Sequence, residues 1–122
     1  MNAQSVAPVL KVANLERALA HYQQVLGFAE SFRVANYAGV SMGNVELHLA
    51  EADSTSGETE RAVGGATVYI FCDTIDAYFL EIVNRGARVV FPPQDWPYGM
   101  RDFRIRDTDG NDLSFGCHLA KA

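Results

Sequence analysis

Hydrophobic positions along the chain switch between two periods, and the switch happens twice. Residues 8–12, Pro-Val-Leu-Lys-Val, predict a short strand that stops at Ala13-Asn14. Asn14 can cap a helix whose apolar positions are Leu15, Ala18, Leu19, Tyr22, Val25 and Leu26, close to the helical period. Gly27 ends that helix where the chain must turn through left-handed conformations. Strands are predicted next over 28–35, 37–42 and 45–50, the last two joined by a Gly43-Asn44 hairpin turn.

Residues 53–64 are polar, contain glycine and show no period, which predicts a linker. After it the same order returns. A strand is predicted over 66–72, and Asp73-Thr74 can cap a helix with Ile75, Phe79, Ile82 and Val83 on its apolar face, closed by Gly86. Strands follow over 88–91, 103–106 and 113–117, with Asp109-Gly110-Asn111 as the final turn. The chain therefore reads as a βαβββ unit repeated after about 60 residues. We expect a single domain over 1–122, with module one at 6–52, the linker at 53–64 and module two at 65–120. Units of roughly 60 residues bury marginal cores alone. The expected architecture is α+β: paired βαβββ modules whose mostly antiparallel, curled sheets enclose a shared cleft, with the helices outside.

Strand alternation assigns faces. Leu10, Val12, Val68, Ile70, Cys72, Leu113 and Phe115 fall under the helices. Val9, Lys11, Glu46, His48, Thr67, Tyr69, Phe71, Ser114, Gly116 and His118 fall on the opposite face, a mixed aromatic and polar lining suited to a ligand.

Composition narrows the function. The chain has 122 residues, 48% hydrophobic and 20% charged, with 10 basic against 15 acidic residues and a net charge of −5. That balance lacks the basic footprint nucleic-acid binding needs and favours cationic small molecules or basic partners. No apolar run is long enough for a membrane span, and the Met-Asn-Ala-Gln-Ser start is unlike a secretory leader, so a cytoplasmic location is expected. Cys72 and Cys117 lack metal or redox spacing and read as reduced, buried thiols.

Several runs carry a resemblance. Asn14-Leu15-Glu16-Arg17-Ala18 at the first helix start and Tyr22-Gln23-Gln24-Val25-Leu26-Gly27-Phe28 at its end, on the paired βαβββ plan, resemble the vicinal-oxygen-chelate superfamily of glyoxalases, ring-cleaving dioxygenases and drug-binding resistance proteins. Within it the chain most resembles the bleomycin resistance proteins. The carrying segments are Pro8-Val9-Leu10, Gly27 to Phe32, Tyr37 to Val40, Trp96-Pro97-Tyr98-Gly99-Met100-Arg101-Asp102-Phe103 and Asp107-Thr108-Asp109-Gly110-Asn111. Tyr98 stands where that signature usually has tryptophan, and Thr108 where it has proline.

The superfamily's enzymes hold a divalent metal from the first and last strands of each half. The resemblance puts those places at Ala7, Glu46, Thr67 and Ser114, of which only Glu46 carries a metal-binding side chain. No metal, no cofactor and no catalytic residue is therefore expected. The alternative, a metal-dependent lyase or dioxygenase of the glyoxalase type, would use Glu46 with His48; a third reading is a partner-binding module.

The expected site is instead a ligand pocket. The segment 91–99 holds three prolines around Trp96 and Tyr98, a stiff loop with flat faces for stacking. Phe32 and Tyr37, implied by the resemblance, join Glu46, His48, Tyr69, Phe71, Trp96, Tyr98 and Arg101 as expected ligand-binding residues. The expected function is sequestration of an aromatic, cationic natural product in a cleft that the resemblance implies is shared by a homodimer, with neither nucleic acid nor membrane as partner.

Overall fold

The computed structural model describes residues 1–52 and 63–120. The chain runs β1 (Val9–Val12), α1 (Leu15–Ala20), a π-helical turn (His21–Val25), β2 (Ala29–Val34), β3 (Tyr37–Met42) and β4 (Val45–Glu51). The second half follows as β5 (Thr67–Phe71), α2 (Ile75–Asn84), β6 (Arg88–Asp95), β7 (Met100–Arg106) and β8 (Asp112–His118). The predicted repeat is present, while most of the linker lies outside the described residues.

Each half forms a four-stranded sheet, ordered β1-β4-β3-β2 and β5-β8-β7-β6. Within each, one parallel pair (β1 with β4, β5 with β8) precedes two antiparallel ones. The sheets are open rather than curled, and among the described residues no strand pairing joins them. Their edge strands β1 and β5 nevertheless lie side by side in opposite directions. Lys11 O, near the end of β1, accepts from Gly64 N (3.2 Å) and Asn111 Nδ2 (3.1 Å), near the start of β5. Val6 and Pro8 share a cavity with the far end of β5.

Both helices pack on one side. Leu10, Val12, Val40, Leu47 and Leu49 meet Leu15, Leu19, Tyr22 and Leu26, while Ile70, Phe103, Ile105, Leu113 and Phe115 meet Ile75 and Ile82, in one continuous core. Faces assigned by alternation hold, with Cys72 and Cys117 as half-buried free thiols beside that core. Burial pushes the Cys72 thiol up from its ordinary pKa.

Asn14 caps α1 as expected, its Oδ1 accepting from Arg17 N at 2.9 Å. The first helix then departs from prediction: it widens at His21, and Leu26 N reaches back to His21 O at 3.2 Å. The extra residue keeps Tyr22 and Leu26 buried before Gly27 turns at φ +84°. His21 is half-buried rather than solvated, and burial lowers its pKa. Thr74 starts α2 in the left-handed region (φ +45°) and makes no side-chain cap, contrary to expectation.

The segment 91–99 is also corrected. Phe91 to Asp95 continues β6, and only Trp96 to Gly99 forms the turn, with Gly99 N bonded to Trp96 O at 3.0 Å. Prolines fit here because β6 is an edge strand whose pairing with β7 slips between Phe91 and Gln94.

The turn at 107–111 joins the halves. Asp107, 1% exposed, accepts from the backbone N–H groups of Asp109 (2.8 Å) and Asn111 (2.9 Å), and from Tyr22 Oη (2.8 Å) in the other half.

Candidate binding face

Away from the helices, the second sheet carries a ring cluster built on one carboxylate. Phe71, Gly116 and Asp102 stand in register across β5, β8 and β7 and so share that face. Gly116 offers no side chain, and the Tyr69 ring crosses the space: Tyr69 Oη donates to Asp102 Oδ2 at 2.8 Å, where a methyl on Gly116 would overlap the hydroxyl. Trp96 Nε1 donates to the other oxygen, Oδ1, at 2.6 Å. Asp102 is 3% exposed and engages both oxygens. Burial, then the Asp102 bond, raises the Tyr69 phenol well above its ordinary pKa.

The remaining rings extend from this anchor. Trp96 and Tyr98 lie parallel, 7° apart in plane with centroids 6.0 Å apart. Phe71 tilts against Tyr69 at 5.1 Å and stacks with His118 at 5.8 Å. Tyr69, Phe71 and Tyr98 remain 39, 64 and 69% exposed, so the cluster presents aromatic surface fixed in place from beneath.

On the first sheet, Phe32, Gly39, His48 and Val9 form one row across β2, β3, β4 and β1. His48 bridges Tyr37 Oη (2.8 Å at Nδ1) and Glu46 Oε2 (2.9 Å at Nε2). A bulge in β2 turns Ser31 so that its hydroxyl donates to Glu46 Oε1 at 3.1 Å. The His48 and Ser31 bonds hold the Glu46 carboxyl below its usual pKa. Phe32 and Tyr37 both set ring planes nearly perpendicular to His48, at 5.2 and 5.3 Å.

A cavity of about 380 Å³ between the sheets touches Glu46, Tyr69 and Phe71, linking the two sets. A larger one, about 580 Å³, opens between the Met42–Val45 turn and the corner from β5 to α2, and reaches the core-side Cys72 and Tyr78. The smaller cavity adjoins the polar and aromatic groups just described.

The family model for the glyoxalase/bleomycin resistance protein/dioxygenase superfamily matches residues 5–115. The chain belongs to that superfamily. Among solved structures it is similar to a glyoxalase/bleomycin resistance protein/dioxygenase from Nocardioides (21% identity, covering 100% of this chain and 88% of that one, TM-score 0.78). It is similar to the bleomycin-binding protein of bleomycin-producing Streptomyces verticillus, solved with copper(II)-bleomycin (22% identity, 99% of each chain, TM-score 0.74). It is also similar to TioX from Micromonospora sp. ML1 (20% identity, 98% of this chain and 99% of that one, TM-score 0.73). These likenesses establish the fold. No curated protein matches the chain.

For a member of the glyoxalase/bleomycin resistance superfamily, the donor set here does not fit a divalent metal. Ala7 supplies no donor, and Thr67 only a hydroxyl. Ser114 Oγ accepts from Arg104 Nε at 2.9 Å, which sets a permanent cation where a dication would be repelled. Glu46 is turned into its own network, and no three His, Cys, Asp or Glu side chains gather among the described residues.

In this superfamily member the expected residues fall into two groups: Phe32, Tyr37, Glu46 and His48 on the first sheet, and Tyr69, Phe71, Trp96 and Tyr98 on the second. Arg101 joins neither. Its guanidinium is held by Asp76 at the start of α2 (2.7 and 3.0 Å) and by Asp95 (2.9 Å). From the sequence, Arg101 and Asp102 could orient the 91–99 segment or pair with each other; Asp102 does hold Trp96 of that segment, the pair does not form, and Arg104 and Ser31 were not expected on the face. Alternating charge over 101–107 is more often a solvated strand edge, and the sequence does not show that Asp102 is the acceptor for two aromatic donors. No helix among the described residues is long and apolar enough to cross a membrane.

Proposed function

We propose that this face captures a planar aromatic, cationic small molecule and holds it unchanged, each site lying between two chains of a homodimer. The observation that carries this reading is the anchoring of Tyr69 and Trp96 on buried Asp102 beneath the exposed rings. Rings fixed before a ligand arrives lose little entropy when it stacks on them, and aromatic contacts contribute about 0.5–1.5 kcal/mol each. The net charge of −5 favours a cationic ligand. The copper(II)-bleomycin complex of the Streptomyces verticillus relative supports the ligand class. A second chain would cover Val9, Phe71 and Tyr98, which one chain leaves exposed. Sequestration then works by mass action, since a ligand bound here is withheld from its target.

The test is thermal unfolding of EDTA-treated protein with metal-free bleomycin, with mass by light scattering. At about 100 times Kd, binding adds about 2.7 kcal/mol to stability. The reading predicts a dimeric mass and a raised midpoint that largely disappears in Asp102→Asn. An unmoved midpoint in the wild-type protein contradicts it.

A further inference from the structure

On the first sheet, Tyr37, His48 and Glu46 form an unbroken chain of hydrogen bonds, which a neutral His48 satisfies in one tautomer. Glu46, 41% exposed and ionised at neutral pH, accepts from Ser31 and from His48 Nε2. In its neutral form His48 donates through Nε2 to that carboxylate, and its Nδ1 accepts the Tyr37 proton at 2.8 Å.

We propose that this chain is a metal-independent general-base site, with Tyr37 as its catalytic residue, for planar substrates that carry an acidic C–H or O–H bond. The order carboxylate, imidazole, hydroxyl is the one that activates a hydroxyl in hydrolytic triads. A phenol yields its proton far more readily than a serine hydroxyl does. The Tyr37 proton passes to His48 Nδ1, and the phenolate oxygen takes the substrate proton. The substrate keeps the electron pair of the broken bond, and Glu46 stabilises the imidazolium. Lys11, Ala50 and Tyr37 are in register across β1, β4 and β3, so Lys11 and Tyr37 share a face with Cα atoms about 10 Å apart.

The surroundings hold the relay in place. Phe32 packs edge-on against His48. A methyl on Gly39 would overlap the Phe32 ring and come within 2.6 Å of Ser31 Oγ, so this row closes only around a glycine. His48 keeps 21% of its side chain exposed, enough for a substrate to reach the relay from the open face.

The test uses 5-nitrobenzisoxazole, a planar aromatic with one acidic ring C–H. Removing that proton breaks the ring N–O bond, whose electrons go to oxygen, and releases a coloured cyanonitrophenolate. The EDTA-treated full chain should exceed free imidazole at equal concentration by about tenfold or more. Tyr37→Phe and His48→Gln should lower kcat by about tenfold or more with KM within about twofold. Added imidazole should restore part of the rate to His48→Ala and none to Tyr37→Phe. A wild-type rate no greater than that of imidazole, or variants that keep the wild-type rate, overturns the relay. Trp96 emission reports binding of the same substrate separately. Catalysis without any emission change supports the relay and counts against capture on the aromatic cluster alone.

Discussion

The ring cluster turns on two residues, Gly116 and Asp102. Gly116 leaves the space that the Tyr69 ring crosses, and Asp102 receives both Tyr69 and Trp96. Gly116→Ala should push Tyr69 off Asp102, costing about 1–3 kcal/mol by overpacking. Affinity for metal-free bleomycin should fall by about tenfold with the far-ultraviolet spectrum unchanged. Denaturant melts and titrations of the same sample check both, and unaltered affinity would detach Tyr69 from the binding account. Alternation along β4, β5 and β8 was enough to place Glu46, His48, Tyr69 and Phe71 on the exposed face. Asp102 was legible only as a residue that could orient the 91–99 segment or pair with Arg101; its burial and its two aromatic donors were not, because a carboxylate flanked by arginines normally faces water and those donors lie 33 and 6 residues away. Ser31 was hidden for another reason: a bulge breaks the alternation that would have assigned its side.

At the level of elements, helices, hairpins and most strands follow from local pattern, and the misses occur where a neighbour decides. The proline run at 92–93 reads as a loop until β6 is known to be an edge strand, whose outer N–H groups need no partner. The widened turn at His21–Val25 reads as ordinary helix because its apolar spacing still matches the core. The turn at 107–111 shows what the family signature does physically, since Asp107 closes its own loop and also receives Tyr22 from the other half. Tyr22→Phe leaves that buried acceptor short of one donor and should cost about 1–3 kcal/mol at neutral pH. The variant should also change the alkaline behaviour. Burial and Asp107 raise the Tyr22 phenol well above its ordinary pKa, so the folded state holds this proton longer than the unfolded chain does. Its stabilisation is complete below about pH 10 and is lost as pH rises beyond it. Chemical melts should therefore fall less steeply above about pH 10 in Tyr22→Phe than in the wild-type protein. Equal slopes would show that Tyr22 is not the protected phenol.

For the whole molecule, the repeat predicts the architecture well: two βαβββ halves share a core on the helix side and leave the other side of both sheets open. The sheets stay open where curling was expected, because closure depends on pairing between edge strands and, among the described residues, β1 and β5 meet without it. The division of labour between the halves was equally out of reach of pattern alone. One half gathers flat rings on a buried carboxylate; the other gathers a polar chain around His48. Both border one cavity, the first through Glu46 and the second through Tyr69 and Phe71.

Trp96 is the only tryptophan in the chain and sits within the proposed site. The most direct measurement is therefore its emission during titration with metal-free bleomycin. Capture predicts a saturable change with one ligand per chain, weakened by about tenfold in Tyr98→Ala. An emission that stays flat across the titration, or that saturates identically in Tyr98→Ala, would contradict it.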